Sequence, residues 1–232
     1  METPDARGYA ICTEPRSGSV LLCHLLGSTG VLGVPTEFFD ALVVKKMLGD
    51  HGEYPSDPEA QVPLIPVLGA TPNRVYGLKV FSRHFDFARH TRWVERLPRL
   101  SFIHLTRRDV LGQAISHVRA MQTQQWTSRG QARSEPVYQF EAIDAEFLRI
   151  TNAQARWAYY LGRNGLPVLH VVYEQLVQRP QETVNAIAQL VGLLEPAIVD
   201  FTRVGVAIQR DELTEDWRRR FIAQARNLAR FD

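Results

Sequence analysis

The stretch Tyr9 to Leu22, YAICTEPRSGSVLL, decides the fold. Tyr9-Ala-Ile-Cys-Thr13 is a short apolar run that stops at a loop, the pattern of a strand buried in a parallel sheet. Behind the loop, Val20, Leu21, Leu22, Leu25 and Leu26 recur at the spacing of one helix face, and Gly27 or Gly30 ends that helix. Strand, loop and helix follow one another directly. A loop that feeds a helix start presents backbone N–H groups without partners and the positive end of the helix dipole. Gly18 lets the backbone approach a ligand, Ser17 and Ser19 add hydroxyls, and Arg16 adds a planar cationic fork. The set suits a phosphate or sulfate ester; the competing reading is a tight turn with a capping serine. GxxxxGK[ST] is absent, and no lysine stands where it would reach a γ-phosphate, which counts against an ATP-driven kinase.

Outward from this unit, Val75 to Phe81, Ser101 to Thr106 and Pro167 to Val172 read as further strands. Helices are predicted over Arg83 to Leu97, from an N-cap at Asp109 through Met121, and over Ile143 to Leu161, Pro180 to Leu193 and Glu212 to Arg230. Residues 41–75 are broken by prolines and read as irregular, and 124–136, polar and glycine-containing, read as a mobile loop. The alternation predicts one α/β domain over 1–232, a three-layer fold with a mostly parallel sheet of about four to five strands covered by helices on both faces. In such sheets ligands sit at the carboxyl ends of the strands, where the Arg16 loop emerges.

A second cationic stretch, Thr106-Arg-Arg-Asp109, also follows a strand. Asp109, Gln113 and Ser116 share one helix face, so Arg107 or Arg108 with Ser116 forms a reasonable clamp for a second phosphate. Alternatively, Asp109 caps the helix and the arginines make surface ion pairs.

Composition sets the limits. With 45% apolar residues, the chain builds a core without staples, and a net charge of +2 is too balanced for a nucleic-acid coat. Cys12 and Cys23 lie in apolar segments outside any metal-spaced cluster and read as buried reduced thiols of a cytoplasmic protein. METPDARGYAIC lacks the basic and long apolar segments of a signal peptide, and no apolar run approaches the length of a membrane span.

Arg16-Ser-Gly-Ser19 with the leucines behind it resembles the 5′-phosphosulfate loop of sulfotransferases that use 3′-phosphoadenosine 5′-phosphosulfate (PAPS), and Arg107 with Ser116 resembles their 3′-phosphate clamp. YAICTEPRSGSVLL, TGVLGVPTEFFD, TPNRVYGLKVF, IHLTRRDVLGQAISHVRAMQT with Trp126 beyond it, and LTEDWRRRF resemble the bacterial trehalose 2-sulfotransferase-like family in order and approximate spacing. The resemblance implies a P-loop-NTPase-like α/β fold, PAPS as co-substrate, no metal, a small hydroxylated acceptor such as a sugar or glycoconjugate, and a homodimer. The helix around Trp157 to Tyr160 would supply a dimer face or lie in the core.

The resemblance also makes Glu37 the general base, and the chemistry agrees. In-line attack by a hydroxyl on sulfur needs a carboxylate for the proton, and the departing phosphate needs cations and donors. Arg16, Lys79 and the backbone N–H groups of Ser17, Gly18, Ser19 and Val20 are the candidates for that second task. Ile208-Gln-Arg-Asp211 loosely resembles the family's Arg-Gln pair, which places Arg210 near nucleotide or acceptor. Two features depart from the pattern. Val20 stands where relatives carry threonine, and the Glu14 carboxylate beside an anion loop costs affinity unless it turns away. Two other readings are a small-molecule kinase on the same fold and a non-catalytic nucleotide-binding module. His24, His104, His117 and His170 read as partly buried structural imidazoles.

Overall fold

The computed structural model describes residues 6–49, 52–126, 130–205 and 212–226. Its sheet grows from β1 (Arg7–Thr13), buried at every position after the first. The chain continues through α1 (Ser19–Ser28), α2 (Ala41–Leu48), α3 (Pro58–Gln61) and α4 (Ile65–Leu68) to β2 (Val75–Phe81), which is buried throughout. Then come α5 (Ser82–Ala88), α6 (Trp93–Arg96), β3 (Leu100–Thr106), α7 (Val110–Thr123), α8 (Phe140–Arg163) and β4 (Val168–Val172). The last elements are α9 (Tyr173–Gln178), α10 (Pro180–Leu190) and α11 (Glu212–Ala225).

The four strands run in the order β2-β1-β3-β4, and every neighbouring pair is parallel. The chain leaves β1 for β2 on one side and leaves β3 for β4 on the other. The order of connection therefore reverses between β1 and β3, and the loops after those strands flank a crevice at their carboxyl ends.

Alternation within the strands divides the core. Ala10, Cys12, Tyr76, Leu78, Val80 and Phe102 face one layer, with Phe38, Trp93, Trp157 and Leu161. Tyr9, Ile11, Ile103 and Leu105 face the other, with Leu22, Leu25 and Leu26 of α1 and Val184 and Ile187 of α10. The three-layer α/β arrangement expected from the sequence is present. Of the Trp157 to Tyr160 segment, Trp157 and Tyr160 pack on Phe85, and Ala158 and Tyr159 are exposed. Trp157 and Tyr160 thus answer to the core reading.

Some local readings need correction. The helix expected over Arg83 to Leu97 is two: α5 ends in a 3-10 turn over Arg89–Thr91, and Arg92 takes a left-handed φ of 53° before α6. The irregular stretch 41–75 contains α2, whose start is capped by Asp40 accepting from the N–H groups of Leu42 and Val43. Of its residues α2 buries only Val44. In the 124–136 segment, the Arg133 N–H bonds the Thr123 carbonyl and the Val137 N–H just beyond it bonds Gln122, which ties the described part back to the end of α7.

Candidate active site

The β1–α1 loop begins where Thr13 ends its strand. The Thr13 hydroxyl donates to the Leu105 carbonyl at 2.7 Å and shares a 2.7 Å hydrogen bond with Ser17. Ser17 is buried, so its hydroxyl braces the loop against β3. Arg16 takes φ 63° and Gly18 takes φ 89°. At Gly18 a side chain has no room: a Cβ would stand 2.2 Å from Cδ2 of Tyr173. The first bond of α1 runs from the Leu22 N–H to the Gly18 carbonyl, so the N–H groups of Ser19, Val20 and Leu21 have no helical acceptor. Gly18, the N-cap, supplies no side chain for them.

Arg16 points across the switch point. Its Nε donates to Ser116 Oγ at 2.8 Å and its terminal nitrogen to the Trp126 carbonyl at 2.6 Å. Arg107 donates to the Arg16 carbonyl at 3.4 Å, lies 5.2 Å over the Tyr173 ring and reaches Asp109 at 3.2 Å. The structure thus brings Arg16, Arg107 and Ser116 together, whereas the sequence reading set Arg16 at the opposite, sulfuryl end. Burial, then the neighbouring charges of Arg107 and Arg119, lower the Arg16 pKa. The cluster is crowded with positive charge, and an anion there would relieve it. Asp109 caps α7 through the Gly112 N–H at 2.9 Å, as predicted, and also bonds Arg218 of α11 at 2.7 Å.

Glu37 and Lys79 meet on the other side. Lys79 sits two residues before the end of β2, opposite Ile11, and is buried. Its Nζ lies 2.8 Å from Glu37 Oε1. Glu37 Oε2 faces Arg83 at 3.5 Å and His84 at 3.8 Å. Burial first, and then the Arg83 charge, hold His84 down at about 3, so it is neutral beside the pair. The same charges reach Cys23 on α1: burial pushes that thiol up to about 11, Lys79 pulls it down and Glu37 pushes it up. Glu37, Asp40 and His84 each offer an atom within 4.8 Å of the others, a set that could hold a metal ion and that sequence spacing did not reveal. Lys79 and Arg83 already stand on these carboxylates, and a divalent ion would have to compete with both.

Glu14 turns away from the anion loop. Its side chain is 1% exposed. It accepts from the Ser82 N–H at 3.0 Å and from Arg149 at 2.7 Å. Arg149 also grips Glu146, whose Oε1 lies 2.6 Å from His117 Nδ1, and the His117 ring packs on Trp126. This chain of charges, buried at Glu14, Glu146 and His117 and open to solvent at Arg149, runs from the loop across α8 and α7 to the segment that holds Arg16. Sequence reasoning missed it, because Glu14 and Arg149 are 135 residues apart. Arg210 lies outside the described residues. Among the described residues no helix is long and apolar enough to cross a membrane.

The family model described as Stf0 sulphotransferase matches residues 8–224. Trehalose 2-sulfotransferase of Mycobacterium tuberculosis is 25% identical over 266 aligned positions, covering 96% of this chain and 97% of the relative. The enzyme of the same name from Mycolicibacterium smegmatis is 26% identical, covering 92% and 93%. The first alignment has more positions than the chain has residues, so that relative carries segments this chain lacks. Among solved structures, the sulfotransferase domain of the Synechococcus PCC 7002 olefin synthase is 19% identical with a TM-score of 0.48, covering 94% of this chain and 90% of that one. The sulfotransferase STF1 of Mycobacterium tuberculosis H37Rv is 12% identical with a TM-score of 0.43, covering 94% and 76%.

Proposed function

The chain belongs to the Stf0 sulphotransferase family, and from that premise we propose that it moves the sulfuryl group of PAPS to a hydroxyl of a small sugar or glycoconjugate. The observation that carries the proposal is the 2.8 Å pair between Glu37 and buried Lys79, on the sheet face that α1 covers. Lys79 fixes one carboxylate oxygen and leaves Oε2 to take the proton of an entering hydroxyl. As the acceptor oxygen bonds to sulfur, the bond from sulfur to the bridging phosphate oxygen breaks, and 3′-phosphoadenosine 5′-phosphate (PAP) departs with the negative charge. The N–H groups at the start of α1 are suited to receive that charge. Arg107, Ser116 and Arg16, gathered on the far side of the loop, are suited to a second phosphate of the same nucleotide. The names of the mycobacterial relatives support a disaccharide acceptor. A homodimer and a cytoplasmic site belong to the same reading and rest on resemblance alone.

Transfer from labelled PAPS to trehalose and a panel of glycosides tests this, with Glu37→Gln beside the wild type. Loss of a positioned base lowers the rate by about 10²- to 10⁴-fold, while PAP binding persists. Equal single-turnover rates for the two proteins would remove Glu37 from the mechanism. Equal stabilisation of the wild type by PAP and AMP would remove PAPS.

A further inference from the structure

The crevice beyond the loop has a wall that the nucleotide reading leaves without a task. It encloses about 830 Å³, with Arg107 and Ser116 on one side and Thr214 and Arg218 of α11 on the other. Asp109 ties the sides together: a single carboxylate oxygen accepts from Arg107 at 3.2 Å and from Arg218 at 2.7 Å. Arg107 and Arg218 thus share one carboxylate oxygen across the crevice. Arg107 Nε is buried without a hydrogen-bond partner, so the cluster also holds a fixed donor in want of an acceptor. Ser116 accepts from Arg16, which leaves its own proton to donate.

Three further acids line the crevice, Glu174, Glu212 and Glu215, and Glu212 is exposed to solvent. Glu174 accepts from the N–H groups of Arg108 and Asp109. Glu215, 3.4 Å from Arg218, is 61% exposed, so solvent screens its charge. Gly112 is what allows α11 to close. A Cβ there would stand 2.1 Å from the Asp109 carboxylate and 2.7 Å from the Arg218 guanidinium.

Building on the PAPS reading, we propose that Arg218 is a phosphate-binding residue of the donor site. α11 closes over the second phosphate, Asp109 aims Arg218 at it, and Gly112 admits the pair. Arg218 then discriminates a nucleotide with two separate phosphates from one with a single phosphate. A guanidinium that only docked α11 onto α7 would support both nucleotides alike.

The test is titration calorimetry of the full chain with PAP and with AMP, for the wild type, Arg218→Gln and Gly112→Ala, beside thermal unfolding without ligand. Glutamine keeps a donor for Asp109 and drops the charge. Alanine at position 112 keeps every charge and displaces the Asp109 carboxylate together with Arg218. Both variants should lose about ten- to a hundredfold in PAP affinity, the range of one charge-assisted hydrogen bond, with AMP affinity held within about twofold. If Arg218→Gln does not fold, the same ratio in Gly112→Ala decides. A wild-type preference for PAP that survives in the variants overturns the role of Arg218 alone. A wild type that binds PAP no better than AMP overturns the donor reading, and this inference with it.

Discussion

Gly18→Ala tests the loop most directly. Gly18 holds φ 89°, and an added Cβ would meet the Tyr173 ring at 2.2, 2.8 and 3.3 Å. The conformation itself costs an L residue about 1–2 kcal/mol. Ordinary carbon contacts begin near 3.5 Å, so the ring must retreat by about 1 Å, and forced overpacking of this kind costs about 1–3 kcal/mol. Together the variant should lose about 2–5 kcal/mol, which for a domain of this size lowers the melting temperature by about 4–20 °C. The ligand effect is separate. Tyr173 carries the Arg107 guanidinium 5.2 Å above its face, a contact worth about 0.5–2 kcal/mol. Its displacement should weaken PAP about two- to thirtyfold and AMP less. Differential scanning calorimetry and PAP titration of Gly18→Ala, Tyr173→Ala and the double variant form a cycle. If the collision is the cause, removing the ring restores the packing part of the loss and leaves the left-handed part. Additive losses, or a Gly18→Ala protein as stable as the wild type, would refute the reasoning.

Acid should attack the chain of charges at the buried Glu146 first. Burial alone would raise the Glu146 pKa, but hydrogen bonds from His117 and Arg149 outweigh it and hold the carboxyl at about 2, below its ordinary 4.5. A folded-state value below the unfolded one means stability that is present above pH 4.5 and lost as pH falls toward 2. Glu146→Gln should therefore flatten the dependence of the unfolding midpoint on pH in that window, and parallel curves for variant and wild type would contradict the pairing. Lys79→Ala removes the cation from Glu37 and should slow single-turnover sulfuryl transfer about a hundred- to a thousandfold with PAP affinity nearly unchanged; a rate near wild type would show that the 2.8 Å pair is not used.

Legibility in the sequence followed the range of the interaction. β1, the loop and α1 were readable because a strand run, a glycine and leucine spacing are local signals. The Asp109 cap was readable for the same reason, since its acceptor and donor are three residues apart. The role of Glu14 was not. In sequence it is a carboxylate beside an anion loop, and only the fold supplies Arg149 and the Ser82 N–H that turn it inward. The aim of Arg16 was not legible either: with a left-handed φ of 63° its side chain reaches Ser116, 100 positions away. The Asp109–Arg218 pair was equally hidden, since 109 positions separate its partners.

The loop shows how a small set of side chains can prepare a backbone site. In a trans peptide the carbonyl of one residue and the N–H of the next point in opposite directions. Trp157 donates to the Thr13 carbonyl at 3.3 Å, Gln113 to that of Pro15 at 2.7 Å and Arg107 to that of Arg16 at 3.4 Å. Each carbonyl is drawn toward α8, α7 or the turn between β3 and α7, so the N–H groups of Arg16 and Ser17 are turned to the opposite side of the loop. There they join those at the start of α1. Donors fixed this way need no rearrangement when charge develops, which is the condition for electrostatic stabilisation to act on a transition state and not on binding alone. The residues that draw the carbonyls come from α8, α7 and the turn between β3 and α7, so the site exists only when those helices are packed at the end of the sheet.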